Sequence, residues 1–310
     1  MAGCGATTSA GSGATSPSTS TAPGSPGGPG SPGSPGSPRA GAASPTVDSA
    51  AQAQLAQLET RFDARLGLFA IDTATGRTVA HRAQERFGFA STCKAFAAAA
   101  VLAETTDAEL DAVVTWSVED VVAHSPVTEQ HTGSGLPLRE VAESAITVSD
   151  NTAANLLVER LGGPAGLEQD LRALGDASTE VENDEPEVND IVPGDPADTS
   201  TPEAMARTLQ AYAVGDVLES GDREQFVQWL RANTTGDEQV RAGVPDGWVV
   251  GDKTGHAGVH GNQNDIAVVW PAGGRAPRVL AVPTDRADVD ADSDNALLAA
   301  ATRVVVQHLG

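Results

Sequence analysis

Apolar positions begin to recur only after about Thr46. Leu55, Leu58 and Phe62 fall on one face at helical spacing, which predicts a helix over Val47–Phe62. The unbroken apolar run Leu66–Ile71, a turn over Asp72–Gly76 and a returning strand at Thr78–His81 then read as a hairpin. From Phe87 to about Ala232 the pattern is helical, broken by Gly, Pro and Asp, and Ala95–Ala103 is apolar on every face. β-rich runs return at Trp248–Val250, Ile266–Trp270 and Val279–Val282, and Asn295–Leu309 reads as a closing helix. Strands at both ends with helices between predict an α/β (α+β) fold. Its antiparallel sheet, built from about residues 47–86 and 233–310, is flanked by helices, and an all-helical lobe spans about residues 87–232. The cleft between the two lobes is the expected place for chemistry. No internal repeat is visible.

Composition narrows the picture. Residues 1–46 are Gly, Ser, Thr, Pro and Ala with Arg39 as their one charge, a composition that cannot form a core and predicts a disordered leader and linker. All 42 acidic residues and all but one of the 19 basic ones follow it, in a stretch, residues 47–310, sized for one large domain or two intimate subdomains. A net charge of −23 and no basic stripe argue against nucleic acid as a partner. No apolar run reaches the roughly 18 residues that span a bilayer. Met1-Ala2-Gly3-Cys4, ahead of the Gly24–Pro38 spacer, nevertheless resembles the end of a bacterial lipoprotein signal without its charged and hydrophobic parts. The expectation is an exported protein, with a truncated signal peptide and a lipid on Cys4 that anchors it to the outer face of the cell membrane. The other cysteine, Cys93, sits in an apolar helix and reads as a small buried hydrophobe, so no disulfide is expected. No clustered His/Cys set appears, and neither a metal nor another cofactor is expected. A monomer is expected.

Of the 19 basic side chains only Lys94 and Lys253 are lysines. Arginine keeps its proton near neutral pH whereas a buried lysine can lose it, so these two positions are candidates for proton handling or a compact point charge. Codon bias alone is the bland alternative. Ser91-Thr92-Cys93-Lys94 places a hydroxyl and an amine one helical turn apart, at a helix N-terminus that favours a developing negative charge. Asp252-Lys253-Thr254-Gly255 follows a strand and puts a cation, a hydroxyl and a permissive glycine where a substrate carboxylate could be held. Ser149-Asp150-Asn151 opens a helix and would by itself be read as a cap.

Each motif alone is weak, but S-x-x-K, S-D-N and K-T-G in this order form the signature of class A β-lactamases and penicillin-binding proteins. From residue 47 to residue 310 the chain resembles a class A β-lactamase. Glu185-Pro186-Glu187-Val188-Asn189 is similar to that family's E-P-E-L-N motif, with Val for Leu, and Pro193–Thr199 is similar to the end of its omega loop.

The resemblance implies a serine β-lactamase that opens the amide of penicillins or cephalosporins through an acyl-enzyme on Ser91, released by a water that Glu185 activates. It implies an oxyanion held by the backbone N–H groups of Ser91 and His256, with Glu185 or Lys94 as base in acylation. Ser149, between Lys94 and Lys253, would protonate the ring nitrogen. Asn189 would help hold the water, Asn151 would bind the substrate's side-chain amide, and Lys253 with Thr254 would bind its carboxylate. A D,D-peptidase or a non-turnover penicillin-binding protein shares the three motifs without requiring Glu185. The chain also departs from the family. Gln263-Asn264 and Asp294-Asn295 stand where an arginine usually supports the substrate carboxylate, which implies a raised KM unless His256 or His260 substitutes in part. Asn183 replaces the arginine that pairs with the aspartate at Asp198, and His124 replaces an aromatic that lines the cleft.

Overall fold

Apolar side chains alternate along the two C-terminal strands, and the alternation feeds two cores. In a computed structural model, which describes residues 49–310, Ile266, Val268, Val279 and Ala281 belong to one core and Ala267, Val269, Leu280 and Val282 to the other. Successive side chains of a strand point to opposite faces, so strands apolar at every position must be covered on both sides. The leader, the spacer and Cys4 lie outside the described residues.

The chain runs α1 (Ser49–Phe62), β1 (Arg65–Leu66), β2 (Leu68–Asp72), β3 (Thr78–His81), β4 (Phe87–Gly88), α2 (Cys93–Glu104) and α3 (Asp107–Leu110). It continues β5 (Val113–Val114), β6 (Leu136–Pro137), α4 (Leu138–Thr147), α5 (Asn151–Arg160), α6 (Pro164–Ala173), β7 (Thr199–Ser200) and α7 (Pro202–Ala213). Then come α8 (Ser220–Ala232), α9 (Val240–Gly243), β8 (Val249–His256), β9 (Gln263–Trp270), β10 (Arg278–Asp285) and α10 (Asn295–Leu309). The main sheet has the order β3-β2-β10-β9-β8, with β1 also on β10, and its pairings are antiparallel. Leu55 of α1 and Leu297, Leu298 and Ala301 of α10 cover one face; Met205 and Leu209 of α7 and Phe226 and Leu230 of α8 cover the other. The alanine-rich α2, buried from Cys93 to Leu102, runs through the middle of the helical part, packed against α4, α5, α6, α7 and α8. A helix apolar all round needs this central position.

The hairpin strand Thr78–His81 and the closing helix Asn295–Leu309 lie where the pattern predicts them. Strand β8 differs: it continues past Val250 to His256, through Asp252-Lys253-Thr254-Gly255. Those polar residues are buried because they line a site, which apolar periodicity cannot register. The region expected to be all helical also holds two small sheets, β4 with β7 and β5 with β6, each of two-residue strands too short to carry a period.

Glu104 at the end of α2 hydrogen-bonds Asp170 on α6, and burial together with the Glu104 charge raises the Asp170 carboxyl to about 6. A carboxyl near 3.9 in the unfolded chain then binds more protons when folded, so its contribution is complete below pH 4 and is lost as pH rises through 6. Calorimetry on Asp170→Asn and the parent protein tests this. The melting temperature of the variant relative to the parent should rise between pH 4.5 and pH 7, and a constant difference would contradict the assignment.

Candidate active site

Ser91 sits in the 3-10 turn Ala90–Thr92 that leads into α2, behind a non-glycine residue, Ala90, at φ 46°. Such a conformation persists only where its surroundings fix it, and it clusters at functional sites. Here the surroundings are the buried Phe89 and the end of β8. A Cβ on Gly255 would lie 2.7 Å from the Phe89 carbonyl oxygen and 3.1 Å from the Thr92 nitrogen, so only glycine lets the strand approach the turn.

One turn after Ser91, at the start of α2, the Lys94 side chain is almost completely buried. Its Nζ donates to the Ser149 carbonyl at 2.8 Å, to Ser149 Oγ at 3.2 Å and to Asn151 Oδ1, and pairs with Glu185 Oε1 at 3.0 Å. Burial lowers the Lys94 pKa, and the Glu185 charge opposes that shift. Ser149 also lies in the left-handed region, at φ 58°. Its Oγ accepts a second hydrogen bond, at 3.0 Å, from Lys253 Nζ, which also donates to the Thr254 carbonyl at 2.7 Å. Burial, and then the nearby Lys94 charge, pushes Lys253 down to about 7.

The Glu185 carboxylate closes the cluster. Oε1 accepts from Ser91 Oγ at 3.2 Å and Oε2 from Asn189 Nδ2 at 2.7 Å. Ser91, Lys94, Ser149, Glu185 and Lys253 thus converge, drawn from α2, the approach to α5, the 185–189 segment and β8. Asp150 plays a structural part instead. It caps α5 through Ala153 N–H at 2.9 Å and binds the N–H groups of Val127 and Thr128, each at 2.9 Å. Asn151 holds Lys94 and donates to the Ala123 carbonyl at 2.9 Å.

The remaining candidates divide. Thr254 Oγ1 shares a hydrogen bond with Thr235 Oγ1, and Thr235 donates to Asn233 Oδ1 at 2.9 Å. His124 is exposed, at φ 59°, and its carbonyl accepts the Asn151 N–H at 3.0 Å. His256 ends β8, with Nδ1 3.0 Å from the Asn262 carbonyl oxygen. His260 lies outside this cluster; it lines another cavity with Arg65, Arg86 and Ile191, so it is no substitute for the missing arginine. Asn264, one of the residues in the arginine's usual place, is committed to the carbonyls of Gly88 and Phe89 at 2.8 and 3.1 Å. Asn183 does bond Asp198, at 2.7 Å, in place of an ion pair. Of the acids in the same loop, Glu180 pairs with Arg172 and Arg86, and burial followed by the charges of Asp198, Glu159 and Glu187 raises the Asp184 carboxyl. Cys93 is buried, its thiol pushed up to about 12 by burial and then by Glu185.

Sequence reasoning missed Asn155 and Thr235. Asn155 Oδ1 accepts the Glu185 N–H and its Nδ2 donates to the Glu185 carbonyl, both at 2.8 Å, so one amide clamps the backbone that carries the carboxylate. The signal that could have found it was its position four residues after Asn151, on the same face of α5.

A sheet and a helical lobe meeting over a serine between two buried lysines define the class of penicillin-recognising serine enzymes. Within that class the chain belongs to the β-lactamase enzyme family, whose model matches residues 50–309. It is 51% identical over 270 residues to a β-lactamase of Amycolatopsis lactamdurans, covering 87% of this chain and 89% of the relative. It is 49% identical to a Bacillus amyloliquefaciens β-lactamase, over 82% of each chain. Among solved structures, a Streptosporangium roseum β-lactamase superimposes with a TM-score of 0.83 at 43% identity, covering 84% of this chain and 98% of that one. An ancestral (GNCA) class A β-lactamase gives a TM-score of 0.80 at 52% identity, covering 83% and 99%.

Removing the Asn155 amide leaves the Glu185 N–H and carbonyl without their partners, at about 1–3 kcal/mol for each buried group. Asn155→Ala should therefore lower the melting temperature and, by loosening the carboxylate, slow release of an acyl-enzyme at least tenfold. Thermal melts and intact-mass time courses with a cephalosporin check both effects; unchanged release would show that the clamp is dispensable.

Proposed function

We propose that the protein is a serine β-lactamase that hydrolyses the β-lactam amide through an acyl-enzyme on Ser91. The observation that carries the mechanism is the Ser91 Oγ to Glu185 Oε1 hydrogen bond, on the same oxygen that Lys94 pairs with. Ser91 Oγ attacks the lactam carbonyl as its proton passes to Glu185. Backbone N–H groups at Ser91 and His256 receive the oxyanion. Ser149 delivers its proton to the departing ring nitrogen as the Lys94 ammonium, 3.2 Å away, passes one to Ser149, and the proton held by Glu185 then restores Lys94 across 3.0 Å. The lowered pKa of Lys94 makes its ammonium a ready donor in that relay. Deacylation uses Glu185 again, now as base toward a water. Asn189 Nδ2 is held by Glu185 while its Oδ1, buried, accepts nothing from the protein and is free to take a hydrogen bond from that water.

Lys253, with the hydroxyls of Thr254 and Thr235, must hold the substrate carboxylate without an arginine, which favours a raised KM. Asn151 is assigned to the substrate's side-chain amide and His124 to the rim of the cleft. Among the described residues no helix is long and apolar enough to cross a membrane. Export, a lipid on Cys4 and a monomeric state complete the reading, the lipid resting on the Met1–Cys4 sequence alone.

Sustained turnover of a chromogenic cephalosporin, followed with intact mass, tests the central assignment. Ser91→Ala should form no adduct. Glu185→Gln should acylate more slowly, with Lys94, which sheds its proton more easily once the Glu185 charge is gone, serving as the base, and should then accumulate the adduct, with kcat down by about 10²–10⁴-fold, the usual worth of a general base. A persistent adduct on the parent protein would instead mark a non-turnover binder, and release of D-alanine from a wall peptide a peptidase.

The pH profile tests Lys253 separately. Its ammonium is charged below about 7 and loses that charge as pH rises, so kcat/KM for a carboxylate-bearing substrate should fall on an alkaline limb near that value. A bound carboxylate retains the proton, so the alkaline limb of kcat should lie higher. Coincident limbs would remove Lys253 from carboxylate recognition.

A further inference from the structure

The turn that carries Ser91 is held from behind by two buried amides. Asn262, in the loop between β8 and β9, is 1% exposed, and Asn264, the second residue of β9, is completely buried. Asn264 Nδ2 donates to the carbonyls of Gly88 and Phe89 at 2.8 and 3.1 Å, and Asn262 Nδ2 donates to the same Gly88 carbonyl at 3.0 Å. The two side chains also bind each other head to tail, at 3.2 and 3.4 Å, and Asn264 Oδ1 accepts the Thr284 N–H of β10 at 3.3 Å. Both ends of each amide are thus committed to fixed partners.

What the pair grips is the approach to the nucleophile. Ala90, at φ 46°, follows Phe89 directly and Ser91 follows Ala90. The Phe89 carbonyl is held from both sides of that strained residue, by Asn264 on one and by the Thr92 N–H at 3.2 Å and hydroxyl at 2.8 Å on the other. The same pair reaches the opposite wall of the cleft. Asn264 is the cross-strand partner of Gly255, and the Asn262 carbonyl lies 3.0 Å from His256 Nδ1. A carbonyl can only accept, so the imidazole donates to it. One unit of two side chains therefore ties the chain ahead of Ser91 to the residue after Gly255, the two positions whose N–H groups are assigned to the oxyanion.

We propose that Asn262 and Asn264 are positioning residues for acylation, holding the Ser91 turn and the end of β8 at the separation that aims the Ser91 and His256 N–H groups at one oxygen. That role rests on the acyl-enzyme reading of Ser91. Neither side chain touches the reacting atoms; both act through the Gly88 and Phe89 carbonyls and the His256 ring. Donors aimed at a developing charge are effective only when already in place, to within about 0.5 Å, and groups behind them must fix that geometry.

The Ser91 ester that accumulates in Glu185→Gln is the reporter. Its carbonyl oxygen should lie between the two N–H groups, whose pull lowers its infrared stretching frequency. Adding Asn264→Ala should move that band to higher frequency. The saturated rate of adduct formation, followed by intact mass, should fall about tenfold, less than the roughly 10²–10³-fold that loss of a whole oxyanion donor costs. The substrate concentration giving half that rate should stay within threefold. Leu298→Ala, a cavity in the other core, lowers stability without touching the turn and should leave band and rate unchanged. Asn262→Ala, which keeps Asn264 and the carbonyl that binds His256, should shift the band in the same direction by less, and decides the matter if Asn264→Ala fails to fold. An unmoved band, an unchanged rate, or an equal shift in Leu298→Ala would overturn the positioning role and leave the acyl-enzyme reading intact. Failure of Glu185→Gln to form any Ser91 ester would overturn both.

Discussion

The structure turns on one buried ammonium. Lys94 is 1% exposed, and its nitrogen lies in the helical interior where an unpaired charge costs several kcal/mol. The acceptors that offset this come from parts of the chain far apart in sequence: Ser149 and Asn151 at the start of α5, and Glu185 beyond α6. Satisfying the charge therefore brings α2, α5 and the 185–189 segment into one arrangement. Removing one partner of such a pair leaves about 3–5 kcal/mol of uncompensated charge unless the lysine gives up its proton, which burial already favours. Stability and the proposed proton transfer share the same contacts, so under that mechanism neither can be altered alone.

The second lysine extends this logic to Ser149. A hydroxyl has one proton and two lone pairs. Lys94 and Lys253 donate to Ser149 Oγ at 3.2 and 3.0 Å, which occupies both lone pairs. The hydroxyl proton is left to point away from the lysines, toward whatever fills the cleft. Two fixed donors thus orient a third, and the left-handed backbone at Ser149 is what brings its Oγ to both. Gly255 has a matching role on the opposite side, since any Cβ there would press on the turn that carries Ser91.

How much of this could be read from the sequence depends on whether a residue is buried for packing or for chemistry. The apolar parts of β9 and β10, Ile266–Trp270 and Val279–Val282, and the helix α10 were legible because their apolar side chains repeat with the period of their element, whereas the buried polar start of β9 was not. The polar half of β8 was not, because Asp252, Lys253 and Thr254 are buried by a hydrogen-bonded site and obey no hydrophobic period. The five central side chains were legible as spaced motifs whose joint order is improbable by chance. Asn155 and Thr235 were not, since a single amide in a helix and a single hydroxyl in a loop read as surface, and their partners, the Glu185 backbone and Thr254, are distant in sequence. His260 shows the converse: its nearness to the K-T-G motif suggested a share in carboxylate binding, but the bend at its positive φ carries it to a different cavity.

Charge outside the cleft bears on what the cleft must do. A protein of net charge −23 repels an anionic substrate at long range, though salt at physiological strength screens exposed charges beyond about 8 Å. Attraction must then come from groups that act within a few ångströms. The cleft supplies Lys253 and the paired hydroxyls of Thr254 and Thr235, while Asn264, in the region where the family keeps an arginine, is bound to the Gly88 and Phe89 carbonyls instead. The acidic surface and the missing guanidinium therefore act in the same direction, on substrate capture. The Ser91, Lys94 and Glu185 contacts do not involve either feature, so in the proposed mechanism the chemical step is left to the buried lysine pair and its carboxylate.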